Sequence, residues 1–344
     1  MLPWSADLAG RFEHPTFDSK VLRGNPLGDP HERPLHVYLP PGYDAEPQRR
    51  YPVVYWLPGY TGHVGMVFNR PPFRQAYPEM VDAAFAADGT PPAIVVYFDA
   101  WTSLGGSQHL DSPATGRYHT YLCDEVVPWI DANYRTIPDR DHRAIAGKST
   151  GGFAAMVTPM LRPDVFGALA THAGDALFET CYRSGLPQVF RLLRNEYDGS
   201  WEKFFADFRS RVPGTKSSDV DLIEIYAYAA AYSADPDGTV RMPFDDIGAL
   251  VPEVWERWLA WDPVLMAAQP EHAEALRSMR ALWIDSGTRD EFFLDSGAMA
   301  FRREVAAAGV PDDRVHFELF DAGHFGIEYR YPLSITWLSK MMSD

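Results

Sequence analysis

The stretch Arg143-Ala144-Ile145-Ala146-Gly147-Lys148-Ser149-Thr150-Gly151-Gly152-Phe153-Ala154-Ala155-Met156 decides how the rest of the chain is read. An apolar run ends in G-x-S-x-G and passes straight into small residues that suit a helix start. In that context the turn from strand to helix is so tight that the serine takes a strained backbone conformation. Side chains two positions to either side would collide with the turn, and Gly147 and Gly151 remove them. The turn also sets Ser149 at the amino end of a helix, where free N–H groups favour developing negative charge, with the backbone N–H of Thr150 first among them. Lys148-Ser149 invites a phosphate-loop reading as well. That motif needs a glycine five residues before Gly147, and position 142 is His.

Outward from this segment, short apolar runs recur at Leu35 to Leu39, Pro52 to Leu57, Ala93 to Phe98, Ala168 to Thr171, Ala281 to Ile284 and Val315 to Phe320. With Arg143 to Ala146 they read as buried strands. Helical periodicity lies between or after them at Tyr118 to Tyr134, Gly151 to Leu161, Ser296 to Ala308 and Leu333 to Met342. This alternation predicts an α/β fold with a mostly parallel sheet and helices on both faces. It fails between Phe178 and Trp261, a segment biased to helix at Val189 to Asn195 and Ile223 to Ala231 and rich in Trp, Tyr and Phe. The expected organisation is a core over residues 1–177 and 262–344, interrupted after the sixth strand by a helical lid over residues 178–261. Its rings serve mainly for packing, while the segment as a whole borders the site.

A serine hydroxyl needs a neutral imidazole to take its proton and later return it. His324, in Gly323-His324-Phe325-Gly326 just after the last strand, follows the serine and the acid in the chain order such sites use. The acid belongs at a strand's carboxyl end, where Asp285 and Asp290 are both available. Asp290 is preferred because Asp285 is still at the strand's edge, and Asp175, after the preceding strand, is the reserve. A second oxyanion donor is expected from Pro58-Gly59-Tyr60-Thr61-Gly62, through the N–H of Tyr60. His63, His109 and His172 fall on loops at the same edge and are candidates for substrate contact. Asp235-Pro236-Asp237-Gly238 reads as a turn, and no spacing suggests a metal or cofactor.

With 344 residues, 46% of them hydrophobic, the chain can bury a large core in one domain with an insertion. A formal net charge of −16 disfavours nucleic acid and anionic membranes as partners, leaving a small-molecule ester and an undefined oligomeric state. The start of the sequence has no signal-like pattern and no run reaches membrane-spanning length, so a cytoplasmic setting is expected. Cys123 and Cys181 read as reduced packing residues.

Val37-Tyr38-Leu39-Pro40-Pro41-Gly42-Tyr43, Tyr51 to Gly59, Asp111 to Gly116, Gly147 to Gly152 and Gly323-His324 together resemble the esterase family of the α/β-hydrolase fold that includes esterase D, enterochelin esterases, feruloyl esterases and mycolyltransferases. The likeness is strongest over residues 17–175 and 262–340. It implies a serine esterase with a catalytic triad of Ser149, Asp290 and His324 and an oxyanion hole at Tyr60 and Thr150. The familiar S-formylglutathione hydrolases are shorter and lack so long an aromatic insertion, so no substrate is carried over from a single branch. Three activities are compatible with these parts: ester hydrolysis, acyl transfer from the same acyl-enzyme, and ligand binding by a non-catalytic homologue.

Overall fold

The computed structural model describes residues 7–343. Eight strands form the central sheet: β1 (Arg11–Glu13), β2 (His36–Leu39), β3 (Val53–Leu57), β4 (Ile94–Tyr97), β5 (Arg143–Lys148), β6 (Ala168–His172), β7 (Ala281–Gly287) and β8 (Val315–Phe320). Their order across the sheet is β1-β2-β4-β3-β5-β6-β7-β8. From β4 onward every pairing is parallel, with Leu57 opposite Gly147, Gly147 opposite Thr171 and His172 opposite Asp285. β1 and β2 pair antiparallel at one edge.

The seven expected strands are all present, and β1 is additional. Its sequence, Arg-Phe-Glu over three residues, has neither the length nor the apolar content to announce a strand. Two small antiparallel ribbons, Thr16–Asp18 with Glu32–Pro34 and Asp111–Ser112 with Gly116–Arg117, went unread for the same reason. β5, β6 and β7 also run past their expected ends, to Lys148, His172 and Gly287. Apolar content ends before backbone pairing does.

Strict alternation along the strands feeds two cores. Val53, Tyr55, Leu57, Ile145, Leu169 and Ile284 face one side, packed by the helices Thr150–Leu161, Pro270–Arg277 and Leu294–Ala307. Val54, Trp56, Ala144, Ala146, Ala168, Ala170 and Trp283 face the other, under the helices Tyr77–Ala86 and Tyr331–Ser343. Both faces are covered, which is why the strands are apolar at every position instead of every second one. The alanines of β5 and β6 let the C-terminal helix lie close to the sheet.

Between β6 and β7 the chain runs through the helices Phe178–Cys181, Leu186–Tyr197, Trp201–Ser210, Ser218–Tyr232 and Pro252–Leu259. Among the rings here Phe204, Tyr228, Tyr232, Trp255 and Trp258 are buried. Tyr232, for example, sits 5.3 Å from Trp258 and 5.5 Å from Phe178 between ring centroids. These aromatic contacts give the helices a core of their own that is continuous with the first face of the sheet.

Asp262 ties the start of this segment to its end. Its buried carboxylate accepts hydrogen bonds from Leu177 N (3.0 Å) and Phe178 N (2.7 Å), and from Val264 N (3.0 Å) at the start of the helix Pro263–Ala267. Asp262→Ala leaves these buried donors without a partner, and the expected loss of stability is about 2–4 kcal/mol, with a smaller loss for Asp262→Asn. Urea unfolding followed by circular dichroism measures it, and a midpoint unchanged in the alanine variant overturns the assignment.

Candidate active site

At the end of β5 the chain reverses into the helix Thr150–Leu161, and Ser149 occupies the turn with φ 58° and ψ −124°. A side chain there is strained, and the conformation persists because the surrounding backbone leaves no room for another. A Cβ on Gly151 would collide with Leu57 O, and one on Gly147 would collide with the carbonyl of Gly151. Ser149 N donates to His172 O (3.0 Å), and Ser149 O accepts from Phe153 N (2.8 Å).

The loop after β3 lies against this turn. A Cβ on Gly59 would stand 3.1 Å from Ser149 Cβ, so glycine there lets the loop reach the serine. Tyr60 is fixed by its side chain, whose hydroxyl donates to Leu104 O (2.8 Å) and whose ring meets Tyr228 edge-on at 5.6 Å. Thr61 N donates to Gly105 O (2.9 Å). Neither Tyr60 N nor Thr150 N has an acceptor among the described residues. Two free donors beside Ser149 are the equipment an oxyanion requires.

Asp290 and His324 meet on the other side. Asp290 is buried just past the end of β7; its Oδ1 accepts from Phe292 N (2.9 Å), and its Oδ2 pairs with His324 Nδ1 at 2.8 Å. That bond leaves Nε2 as the ring's free nitrogen. Glu291 steadies the same loop by accepting from His324 N (2.7 Å), and Phe292 packs edge-on against the imidazole at 4.8 Å. Burial holds His324 below the ordinary histidine value, while the hydrogen bond to Asp290 opposes that shift.

The Ser149 hydroxyl itself is turned toward Asp175 Oδ1 (3.4 Å), with no hydrogen bond to the His324 ring. Asp175 is wholly buried behind the serine, and Tyr182 donates to its Oδ2 (2.7 Å). Burial pushes this carboxyl up to about 7. The reserve acid therefore touches the serine and not the histidine. Serine hydroxyls rotate readily about χ1, and catalytic hydrogen bonds in ligand-free sites are commonly long or unformed.

Ser149, His324, Asp175, Tyr60 and Lys148 line one cavity of about 580 Å³. Tyr182, Gln188, Val189, Asp221, Glu224 and Tyr228 close it from the segment between β6 and β7. Of the aromatic residues from Trp201 to Trp261, Tyr228 alone reaches this wall. Trp201, Phe205 and Tyr226 line a separate depression beside Leu27 and Leu104.

The three histidines expected on loops divide. His63 lines a neighbouring cavity. His109 is buried, its Nε2 directed to Pro58 O (3.2 Å), and burial pushes it down to about 4, so it props the loop after β3 as a neutral donor. His172 is the last residue of β6, not a loop residue, and is fully buried. Its Nδ1 lies 2.6 Å from Asp285 Oδ1 and its Nε2 lies 2.7 Å from Ser334 Oγ. Asp285, inside β7, also accepts from Trp283 Nε1 (2.8 Å) and Arg330 Nε (3.0 Å). This serine, histidine and aspartate knit β6, β7 and the C-terminal helix together with no path to the cavity. Lys148, Glu291, Asp175 with Tyr182, and His109 were not assigned these places from sequence. Only adjacency to the motifs pointed to the first two.

Residues 30–324 match the family described as Putative esterase. Over 135 residues the chain is 31% identical to an endo-1,4-beta-xylanase/feruloyl esterase of Xylanibacter ruminicola, a match that covers 38% of this chain and 18% of that protein. The match thus spans under a fifth of that relative's length. In three dimensions the chain resembles a ferulic acid esterase (TM-score 0.61, 22% identity, covering 97% of this chain and 100% of the other). It also resembles an S-formylglutathione hydrolase from Agrobacterium tumefaciens (TM-score 0.57, 16% identity, 98% of both chains). With the eight-stranded sheet and the elbow at Ser149, the match over residues 30–324 means that this chain belongs to the esterase family of α/β-hydrolases.

Proposed function

We propose that the protein is a serine hydrolase that cleaves carboxylic or thio esters of small molecules through an acyl-enzyme on Ser149. The observation that carries this reading is the strained Ser149 at a helix amino end, sharing one cavity with an imidazole whose Nδ1 is held by a buried carboxylate. Family membership supports it.

In this reading substrate entry turns the Ser149 hydroxyl from Asp175 to His324 Nε2. Nε2 takes the proton as Oγ attacks the carbonyl, and the N–H groups of Tyr60 and Thr150 receive the oxyanion. Asp290 keeps the ring in the tautomer with Nδ1–H and stabilises the imidazolium. The protonated ring then returns its proton to the leaving alcohol or thiol, and water, activated in the same way, releases the acid. We assign residues 178–261 the role of a lid over the core formed by residues 1–177 and 262–344, because Tyr182, Gln188, Glu224 and Tyr228 wall the cavity. Free Cys123 and Cys181 support a reducing, cytoplasmic setting. Among the described residues no helix is long and apolar enough to cross a membrane.

Ser149→Ala is expected to cut turnover of an activated aryl ester at least about a thousandfold and to abolish labelling by a fluorophosphonate probe; near-normal turnover sinks the proposal. Asp290→Asn, by misplacing the histidine's proton, is expected to cost on the order of 10³–10⁴ in kcat, and Asp175→Asn far less. The reverse ranking hands the acid's role to Asp175. Because burial lowers the pKa of His324, the ring stays neutral, and so basic, further into the acid range than an ordinary histidine. The acid limb of kcat/KM is therefore expected below pH 6.5. It is best recorded in the Asp175→Asn variant, where the carboxyl near 7 no longer titrates. A limb at or above pH 7 contradicts this.

A further inference from the structure

A second cavity, about 300 Å³ in volume, adjoins the first. Gly59, Tyr60, Thr61 and Lys148 line both. The charged groups on its wall are Lys148, Arg74 and Glu328. Arg74 is committed: its Nη1 donates to Gly326 O (2.8 Å) and to Glu328 Oε2 (3.1 Å), so these two charges offset each other. His63, Asn69 and Gln75 add neutral polar groups.

Lys148 is different. It has no side-chain hydrogen bond or ion pair among the described residues, and its Nζ contacts only the face of Phe325, 5.0 Å from the ring centroid. Asp290, Asp175, Glu328 and Glu291 act on it from beyond ion-pair distance. Burial pushes its ammonium down to about 8, so at neutral pH it still carries a charge that water hydrates poorly. A poorly hydrated cation without a contact partner is ready to pair with an anion. The variable position of G-x-S-x-G fixes where this charge stands, one residue from the nucleophile.

The larger cavity has the opposite character. Asp175, Asp221, Glu224 and Glu291 line it, and a carboxylate entering there meets like charge first at Glu291, which its hydrogen bond from His324 N holds below the ordinary carboxylate value. Apart from Lys148, which lines both chambers, the larger wall is acidic while the charges of the smaller, Arg74 and Glu328, offset each other.

We infer that the smaller cavity is a subsite for a carboxylate carried by the substrate, with Lys148 Nζ as its counter-ion, while the uncharged arm of the ester occupies the larger chamber. The inference rests on the ester-cleaving reading and adds the chemical class of one arm. Lys148 is a specificity residue in this account and takes no proton in the reaction.

Two pairs of activated esters test it. In the first, the acyl chain of a 4-nitrophenyl ester ends in a carboxylate or in its methyl ester. In the second, 4-acetoxybenzoate is compared with methyl 4-acetoxybenzoate. The wild-type protein is expected to favour the carboxylate member of at least one pair by tenfold or more in kcat/KM, chiefly through KM. Lys148→Met is expected to lower that ratio at least tenfold whatever it does to the neutral ester, and Lys148→Arg to keep part of it. A wild-type ratio near one in both pairs, or a ratio unchanged in Lys148→Met, overturns the subsite. A merely electrostatic role toward Asp290 and His324 shows as an equal loss on both members.

If Lys148→Met fails to fold by circular dichroism, the wild-type protein decides alone. Inhibition of neutral-ester turnover by 4-acetamidobenzoate is compared with inhibition by 4-acetamidobenzamide, and likewise the amide analogues of the first pair. Equal inhibition within both sets overturns the proposal. Ser149-dependent cleavage of the neutral esters, read separately, keeps the fate of the hydrolase reading distinct from that of the subsite.

Discussion

Everything about the site depends on how closely three stretches of backbone pass one another at the end of β5. Leu57 O lies where a Cβ of Gly151 would be, and the carbonyl of Gly151 lies where a Cβ of Gly147 would be. This contact is possible only with hydrogen at both positions, and between them Ser149 takes the turn at φ 58°. From it follow the aim of Ser149, the exposure of Thr150 N at the helix start, and the nearness of Gly59, through which the β3 loop brings Tyr60 into the same cavity. One steric constraint thus sets Ser149 together with the two backbone donors that we propose for the oxyanion.

Around that point burial is the main force on every titratable group that matters. It holds His324 below and Asp175 above their ordinary values, and it pushes Lys148 down to about 8. The consequences differ because the charged forms differ. The His324 ring stays neutral further into acid, while Asp175 is balanced near neutrality between donor and acceptor behaviour toward the Ser149 hydroxyl. Glu224, also pushed up to about 7 by burial, pairs with Tyr228 (2.7 Å) from the roof. Asp175 and Glu224 therefore add negative charge to the cavity wall as pH rises through neutrality, while Glu291, held below its ordinary value by its hydrogen bond from His324 N, is charged well below it.

The sheet was legible because its strands are covered on both faces, so apolar runs with Gly or Pro at their ends mark them without ambiguity. That Ser149 and His324 would share a cavity and that Asp290 would hold the His324 ring was legible because the elbow, the glycine-rich last loop and the chain order are local or ordinal signals. β1 was not, since three residues of Arg, Phe and Glu become a strand only through β2. His172 was misread as a loop residue because backbone pairing with Asp285 and Lys148 extends β6 beyond its apolar stretch. The partners of Asp175 are equally tertiary: Tyr182 follows seven residues later, but nothing in that spacing says that its hydroxyl turns back. Which ring between β6 and β7 reaches the cavity was not legible for a related reason, because these helices need a core of their own before they can offer a surface.

Ser334, His172 and Asp285 make a second serine, histidine and aspartate set whose interatomic distances are tighter than those at the open site. All three side chains are buried, and none of them lines either cavity. A template search keyed to spacing alone ranks this enclosed set above the open one. What separates a site from a rivet built of the same three parts is whether anything can reach it.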